Sequence, residues 1–171
     1  MRVERSLKYC PQCGGPLAPA RLNDAERLAC TAPACGFVFW DNPVPVVAAI
    51  VEHDGCIVLA NNRDWPEHWF SLITGFLEKN ESPEQAVVRE VREELGIDSR
   101  VESLVGLYAF EKRNQLIIAF HVSGTGEIRL GEELRSYKRV DMDRLKPWET
   151  ATGYAVRDWL ARRRAGRGGS A

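Results

Sequence analysis

Residues 75–97 read GFLEKNESPEQAVVREVREELGI, and the second half of that stretch crowds Glu90, Glu93 and Glu94 into five residues. From Pro83 to Leu95 the spacing predicts a helix, because Val87, Val88, Val91 and Leu95 recur so as to share one side of a 3.6-residue turn. The three glutamates stand at i, i+3 and i+4. At about 100° per residue they fall on a neighbouring face, side by side. Three adjacent like charges destabilise a helix unless something cationic compensates them. A hard divalent metal with oxygen ligands would do so, since no His or Cys is nearby. A solvated acidic face balanced by Arg89 and Arg92 would do so as well.

The flanks give this stretch definite ends. Ser82, Pro83, Glu84 and Gln85 read as an N-cap, a proline at the first helical position and a capping-box partner, and Gly96 can close the far end. Before the helix, Gly75 to Glu81 is expected to be a tight loop leaving an apolar strand over Trp69–Thr74. Loop, capped helix and clustered carboxylates form one unit.

That unit resembles the signature of the Nudix hydrolases. Gly75, Glu81, Arg89, Glu90, the aliphatic Val91, Glu93, Glu94, Gly96 and the aliphatic Ile97 fill its constrained positions in one register. Asn80 stands where many members have glycine, and asparagine tolerates a left-handed backbone better than most residues.

The 171 residues suffice for one packed domain with a small accessory module. A net charge of -1 argues against a generally cationic nucleic-acid binder. No apolar run approaches the roughly 20 residues of a membrane span, and the start MRVERSLK lacks the apolar core of a secretory signal. A cytoplasmic protein with no membrane partner is the expectation. Cys10 and Cys13 form one close pair and Cys30 and Cys35 another, each followed by glycine. In a reducing compartment four such thiolates can enclose a structural Zn²⁺. Redox pairing and accidental clustering are the alternatives. Cys56, alone in an apolar run, reads as a small buried residue.

Read in order, the chain is expected to hold a zinc ribbon over 1–41, a catalytic domain over 42–164 and a flexible tail over 165–171. The ribbon ends on an apolar-aromatic arm, Gly36 to Trp40. Strands are expected over Val44–Glu52 and Cys56–Asn61, joined through His53-Asp54-Gly55, and over Val101–Glu111 and Gln115–Ser123. A loop over Gly124–Leu134 and a short strand over Tyr137–Asp141 follow. Ala155, Val156, Trp159 and Leu160 predict an amphipathic helix over Ala151–Arg164. Strands on both sides of one helix, with a second helix at the end, indicate an α/β chain with a mixed sheet between helices. The resemblance makes this the Nudix α/β/α sandwich, preceded by a small zinc ribbon.

The resemblance also implies chemistry: metal-dependent cleavage of the pyrophosphate bond of a nucleoside diphosphate derivative, with Mg²⁺ or Mn²⁺ as catalytic metal. Glu90, Glu93 and Glu94 would be metal ligands, one of them accepting a proton from water. The Gly75 backbone would approach the metal, Arg89 would orient the glutamates, and Glu81 would hold the loop and Arg89. Glu133, or its rival Glu132, would add a carboxylate from a loop. A ribbon before such a domain is similar to NADH pyrophosphatases and related dinucleotide hydrolases, but the Ser-Gln-Pro-Trp-Pro-Phe-Pro block of the former is replaced here by residues 106–114. An ADP-containing small molecule of the FAD, NADH or ADP-ribose class is therefore the expected substrate, with AMP as product. Trp65, Trp69, Phe76, Tyr108 and Phe110 are candidates to stack on a base. A nucleotide sensor, a nucleic-acid-binding regulator using the ribbon and Arg162-Arg163-Arg164, and a hydrolase of capped RNA are the alternatives. A homodimer is compatible with all of them.

Overall fold

The computed structural model describes residues 7–168, and the chain divides into two compact units between Asn42 and Pro43. In the first unit β1 (Leu17–Leu22) and β2 (Ala25–Cys30) pair antiparallel, and β3 (Val38–Phe39) adds to β2. Asn23 and Asp24 make the β1–β2 turn, both with positive φ, as a tight hairpin requires. Arg27 donates to the Trp40 carbonyl at 2.7 Å and lies over its ring, fixing the aromatic arm.

The second unit contains β4 (Val44–His53), β5 (Cys56–Asn62), β6 (Ile73–Phe76), α1 (Pro83–Leu95), β7 (Asp98–Phe110), β8 (Gln115–Thr125), β9 (Leu134–Asp141) and α2 (Gly153–Gly168). Its mixed sheet runs β7-β8-β4-β5-β9, and β4 is the pivot. One edge of β4 pairs in parallel with β8 along its whole length. The other pairs antiparallel first with β6, through Val46 to Ala49, and then with β5, through Val51 to His53.

The alternation of side chains on β4 separates two cores. Val47, Ala49 and Val51 pack with Val87, Val91 and Leu95 of α1. Ala48 and Ile50 pack with Ala155, Val156, Trp159 and Leu160 of α2. Both faces of the strand are covered, which is why its sequence is a near-continuous apolar run. Helix on sheet on helix is the expected α/β/α sandwich.

Several boundaries differ from the sequence expectation. The strand placed at Trp69–Thr74 lies instead at Ile73–Phe76, because pairing with β4 starts at Ile73 and the preceding carbonyl of Trp69 is taken by the Asn61 side chain. Gly75 is therefore a strand residue and not the start of a loop. The final strand begins at Leu134. Helix α2 begins later than expected because Ala151 has φ 46°, outside the helical region. It also continues through Gly168, past the expected tail boundary at Ala165, since an interior glycine costs only about 1 kcal/mol relative to alanine. Residues 169–171 of that tail lie outside the described residues. Among the described residues no helix is long and apolar enough to cross a membrane.

Candidate active site

Helix α1 starts where its capping box starts it. The Ser82 hydroxyl accepts from the Gln85 N–H, and the Gln85 side chain accepts from the Ser82 N–H at 2.8 Å. Gly96 closes the helix with φ 67°. Ala86, Val87, Val91 and Leu95 are buried, and Glu90 and Glu94 flank this stripe half-buried while Arg92 and Glu93 are exposed. Val88, expected in the stripe, only skirts the core. In the preceding loop Asn80 adopts φ 70°, the left-handed backbone that a glycine would otherwise supply.

Arg89 is the hub of this surface. Its Nε and one terminal nitrogen donate to the two oxygens of Glu81 at 3.1 and 2.8 Å, a bidentate pair. The other terminal nitrogen donates to Glu90 at 2.8 Å and to Glu93 at 3.0 Å, and a further bond reaches the Phe76 carbonyl at the end of β6. Glu81 also accepts from the Glu78 N–H at 2.7 Å, so one carboxylate ties the loop to the helix. The Arg89 guanidinium holds the Glu81 carboxyl below the usual range, and Glu81 in turn raises Arg89.

Gly75 faces the Glu90 carboxyl across the gap between β6 and α1. A Cβ at residue 75 would overlap that carboxyl group, so only glycine lets strand and carboxylate approach this closely. Gly75→Ala is expected to push Glu90 out of place: the melting temperature should fall, and Mn²⁺ affinity followed by electron paramagnetic resonance should fall with it. Unchanged Mn²⁺ binding would show that the close approach is incidental.

A strap after β8 docks on the C-terminal end of α1. The Arg129 N–H donates to the Leu95 carbonyl at 2.8 Å and the Gly131 N–H to the Glu94 carbonyl at 2.9 Å, satisfying helix-end acceptors. Gly131 lies so close to the Glu93 carbonyl that a side chain would not fit. The strap thereby brings Glu132 and Glu133 to a cleft also lined by Glu90, Glu93 and Glu94. Between the two rivals, Glu133 is the one whose charge acts on Glu90 and Glu94. Sequence reading placed Glu133 on a loop but not the strap that seats it, since only the docked helix end shows the need for donors there.

Burial pushes the Glu94 carboxyl up to about 8, and Glu90, Glu133 and Glu93 add to the shift. Burial also raises Glu90, against the lowering pull of Arg89. Burial among like charges favours the neutral carboxyl of Glu94, and a cation bound among these oxygens would take the place of its proton.

The aromatic candidates separate by face. Tyr108 and Phe110 pack into the α2 core, where the Tyr108 hydroxyl donates to Asp158 at 3.0 Å, so neither stands at the acidic cleft. Trp65, Trp69 and Phe76 lie on the loop and strand leading to the helix, and Phe76 is 58% exposed.

In the first unit the sulfurs of Cys10, Cys13, Cys30 and Cys35 all lie within 4.8 Å of one another, and no carboxylate group among the described residues is gathered as tightly. Cys10 and Cys35 are 3.6 Å apart, Cys13 and Cys30 3.4 Å. A tetrahedral zinc with about 2.3 Å bonds needs sulfurs about 3.8 Å apart, so the donor set fits that ion. Backbone N–H groups of Gln12, Gly15 and Ala32 point at the sulfurs of Cys10, Cys13 and Cys30, as knuckles around thiolates do.

A NudC protein of Stutzerimonas stutzeri, named an NAD-capped RNA hydrolase, is 27% identical over 161 residues, 91% of this chain and 57% of that protein. A Mycobacterium bovis protein of the same name is 36% identical over 113 residues, 65% of this chain and 34% of that protein. The chain thus spans a third to somewhat over half of these curated relatives. A NUDIX hydrolase from Nitrosomonas europaea has the same fold, with a TM-score of 0.78, 23% identity and 94% of both chains covered. Residues 8–41 match the Nudix N-terminal zinc ribbon model and residues 42–160 match the NUDIX domain, and the chain belongs to the Nudix family.

Proposed function

We propose that the chain hydrolyses the pyrophosphate bond of an ADP-containing derivative, of the FAD, NADH or ADP-ribose class, and releases AMP. The observation that carries this reading is the cleft itself: Glu94 with its carboxyl raised to about 8 among Glu90, Glu93 and Glu133, and Arg89 holding the neighbouring carboxylates in register. Glu90, Glu93, Glu94 and the Gly75 carbonyl would hold Mg²⁺ or Mn²⁺, and Cys10, Cys13, Cys30 and Cys35 a structural Zn²⁺. A divalent cation in the cleft makes water a stronger nucleophile at neutral pH and neutralises charge developing on the phosphate oxygens.

The protein's own groups do the rest. Arg89 fixes Glu90 and Glu93, and its bidentate grip on Glu81 locks the loop so that Gly75 stays against Glu90. One of the three helix glutamates takes the proton of the attacking water. Glu133, on its strap, adds a carboxylate to the same cleft. No serine, cysteine or histidine lines the cleft, which supports direct attack by water at one phosphorus.

A turnover panel of FAD, NADH, ADP-ribose, dinucleoside polyphosphates, nucleoside triphosphates and NAD-capped RNA, with Mg²⁺ and Mn²⁺ separately, tests the reading. The capped RNA is included because the two NudC relatives are named for its hydrolysis. In ¹⁸O-water one product phosphate should carry solvent oxygen and AMP should be released. Inorganic phosphate as first product, or a nucleotidylated side chain, would reject it.

A further inference from the structure

Between β5 and β6 the chain leaves the sheet and returns through a loop that is braced from several directions. Ala60 and Ser71 exchange backbone hydrogen bonds of 2.9 and 3.0 Å at its base. The fully buried Asn61 amide donates to the carbonyls of Pro66 at 2.8 Å and Trp69 at 2.6 Å. From β9, the Arg135 guanidinium donates to the carbonyls of Arg63 at 2.6 Å and Trp65 at 3.3 Å. The Arg63 N–H donates to the Glu133 carbonyl at 2.9 Å, joining the loop to the Glu133 end of the acidic cleft.

This braced loop carries two indoles, Trp65 half-buried and Trp69 exposed. The rings of Trp65 and Trp69 are 6.2 Å apart and tilted by 48°, and Trp69 is 56% exposed. Rings tilted so far do not stack flat on one another, which leaves an apolar face for a third ring. A single exposed apolar side chain needs no explanation. Two neighbouring tryptophans on a backbone fixed by a buried amide and an arginine are a different case, because the bracing bonds all go to backbone carbonyls and hold the loop, not the rings, in place. A nucleoside diphosphate derivative has one end that needs cationic compensation and one end that is a flat aromatic ring. The Arg63–Glu133 hydrogen bond ties the loop that carries the rings to the strap bearing one of the carboxylates that would hold the first end.

We infer that Trp65 and Trp69 form the stacking platform for the aromatic base of the substrate, and that Asn61 and Arg135 are positioning residues that hold this platform beside Glu133. The inference rests on reading the acidic cleft as the diphosphate site.

Calorimetric binding of ADP-ribose and of inorganic pyrophosphate, each supplied as its non-hydrolysable methylene-bridged analogue, to the Mg²⁺-loaded full chain separates the two ends. Trp65→Ala and Trp69→Ala should each weaken ADP-ribose by about tenfold or more and shift pyrophosphate by less than about twofold. Asn61→Asp keeps the shape but replaces the one nitrogen that donates both bonds by an oxygen facing two carbonyls. It should produce the same selective loss, as should Arg135→Ala, whose exposed site carries less risk to folding. Equal loss of both ligands, or full retention of ADP-ribose affinity in both tryptophan variants, would overturn the platform. Binding of pyrophosphate but not ADP-ribose by the unaltered protein would overturn it too, and would leave the hydrolase reading open to other substrates. If ADP-ribose binds through Trp69 but no substrate of the panel is hydrolysed, the platform stands and the hydrolase reading falls.

Discussion

Glu94→Gln is expected to leave the chain folded and to lower metal-dependent turnover by about 10³-fold, the range seen when one preorganised electrostatic group is removed from a closed site. Glutamine has nearly the same shape and similar helix propensity, so α1 and its contact with the strap through the Glu94 carbonyl should persist. The pH dependence of stability separates loss of charge from loss of structure. The folded-state pKa of Glu94, about 8, lies above its ordinary value of 4.5, so the folded metal-free protein binds the proton more tightly than the unfolded chain. The metal-free wild type should therefore lose stability as pH rises from about 4.5 to 8, and the Gln variant should lack that slope. Glu81, whose carboxyl is held low by Arg89, acts in the opposite sense: its contribution is present above its ordinary value and is lost on acidification below it. Added Mg²⁺ must displace the Glu94 proton, so its stabilising effect should grow toward pH 8 more steeply in the wild type than in the variant, where only Glu90 remains raised. Melting curves from pH 5 to 9 with and without Mg²⁺, together with initial rates, test both points. A variant that turns over substrate at the parent rate would remove Glu94 from the site.

The parts of this site that were legible in the sequence are those made by local rules. Ser82, Pro83, Gln85 and Gly96 bracket α1 through hydrogen bonds within a few residues of each other, and the turn of 3.6 residues alone puts Glu90, Glu93 and Glu94 together. The Asn80 backbone followed from the residue type for the same reason. What sequence reading missed depends on partners far along the chain. The register that makes Gly75 a strand residue is set by β4, and its closeness to Glu90 needs both β6 and α1 in place. The strap from Arg129 to Gly131 is recognisable only once Leu95 and Glu94 present carbonyls without partners. Tyr108 and Phe110 looked equivalent to Trp65 and Trp69 as aromatic residues, and only the two faces of the sheet separate them. In the ribbon, the β1–β2 hairpin was overlooked although Asn23-Asp24 is a turn signal, because the flanking residues alternate weakly and bury little.

Removal of zinc should unfold the first unit while leaving the second intact. Residues 17–39 form a three-stranded sheet with strands of six, six and two residues, and Cys10, at 3% exposure, is the buried residue of this unit among those described. So short a sheet without a hydrophobic core cannot offset the entropy of ordering its chain, of the order of 1–2 kcal/mol per residue for the backbone alone. Thiolate binding to zinc supplies about 10–16 kcal/mol in zinc-finger peptides, a contribution the small sheet has no core to replace. The sulfurs are already placed for it, and all four cysteines are free thiols. Against the Phe37 N–H, which lowers it, neighbouring sulfurs and burial push the Cys35 thiol up to about 12, so without a cation the four do not ionise together. Elemental analysis should find one zinc per chain. A strong chelator, or Cys13→Ser, should abolish amide protection across residues 17–30, while the amides of β4 and β8, buried between two helices with their own cores, should keep theirs. Loss of chemistry in Cys13→Ser with the ribbon still protected would instead assign the cysteines to a catalytic metal, and a protected ribbon in zinc-free protein would refute the structural role.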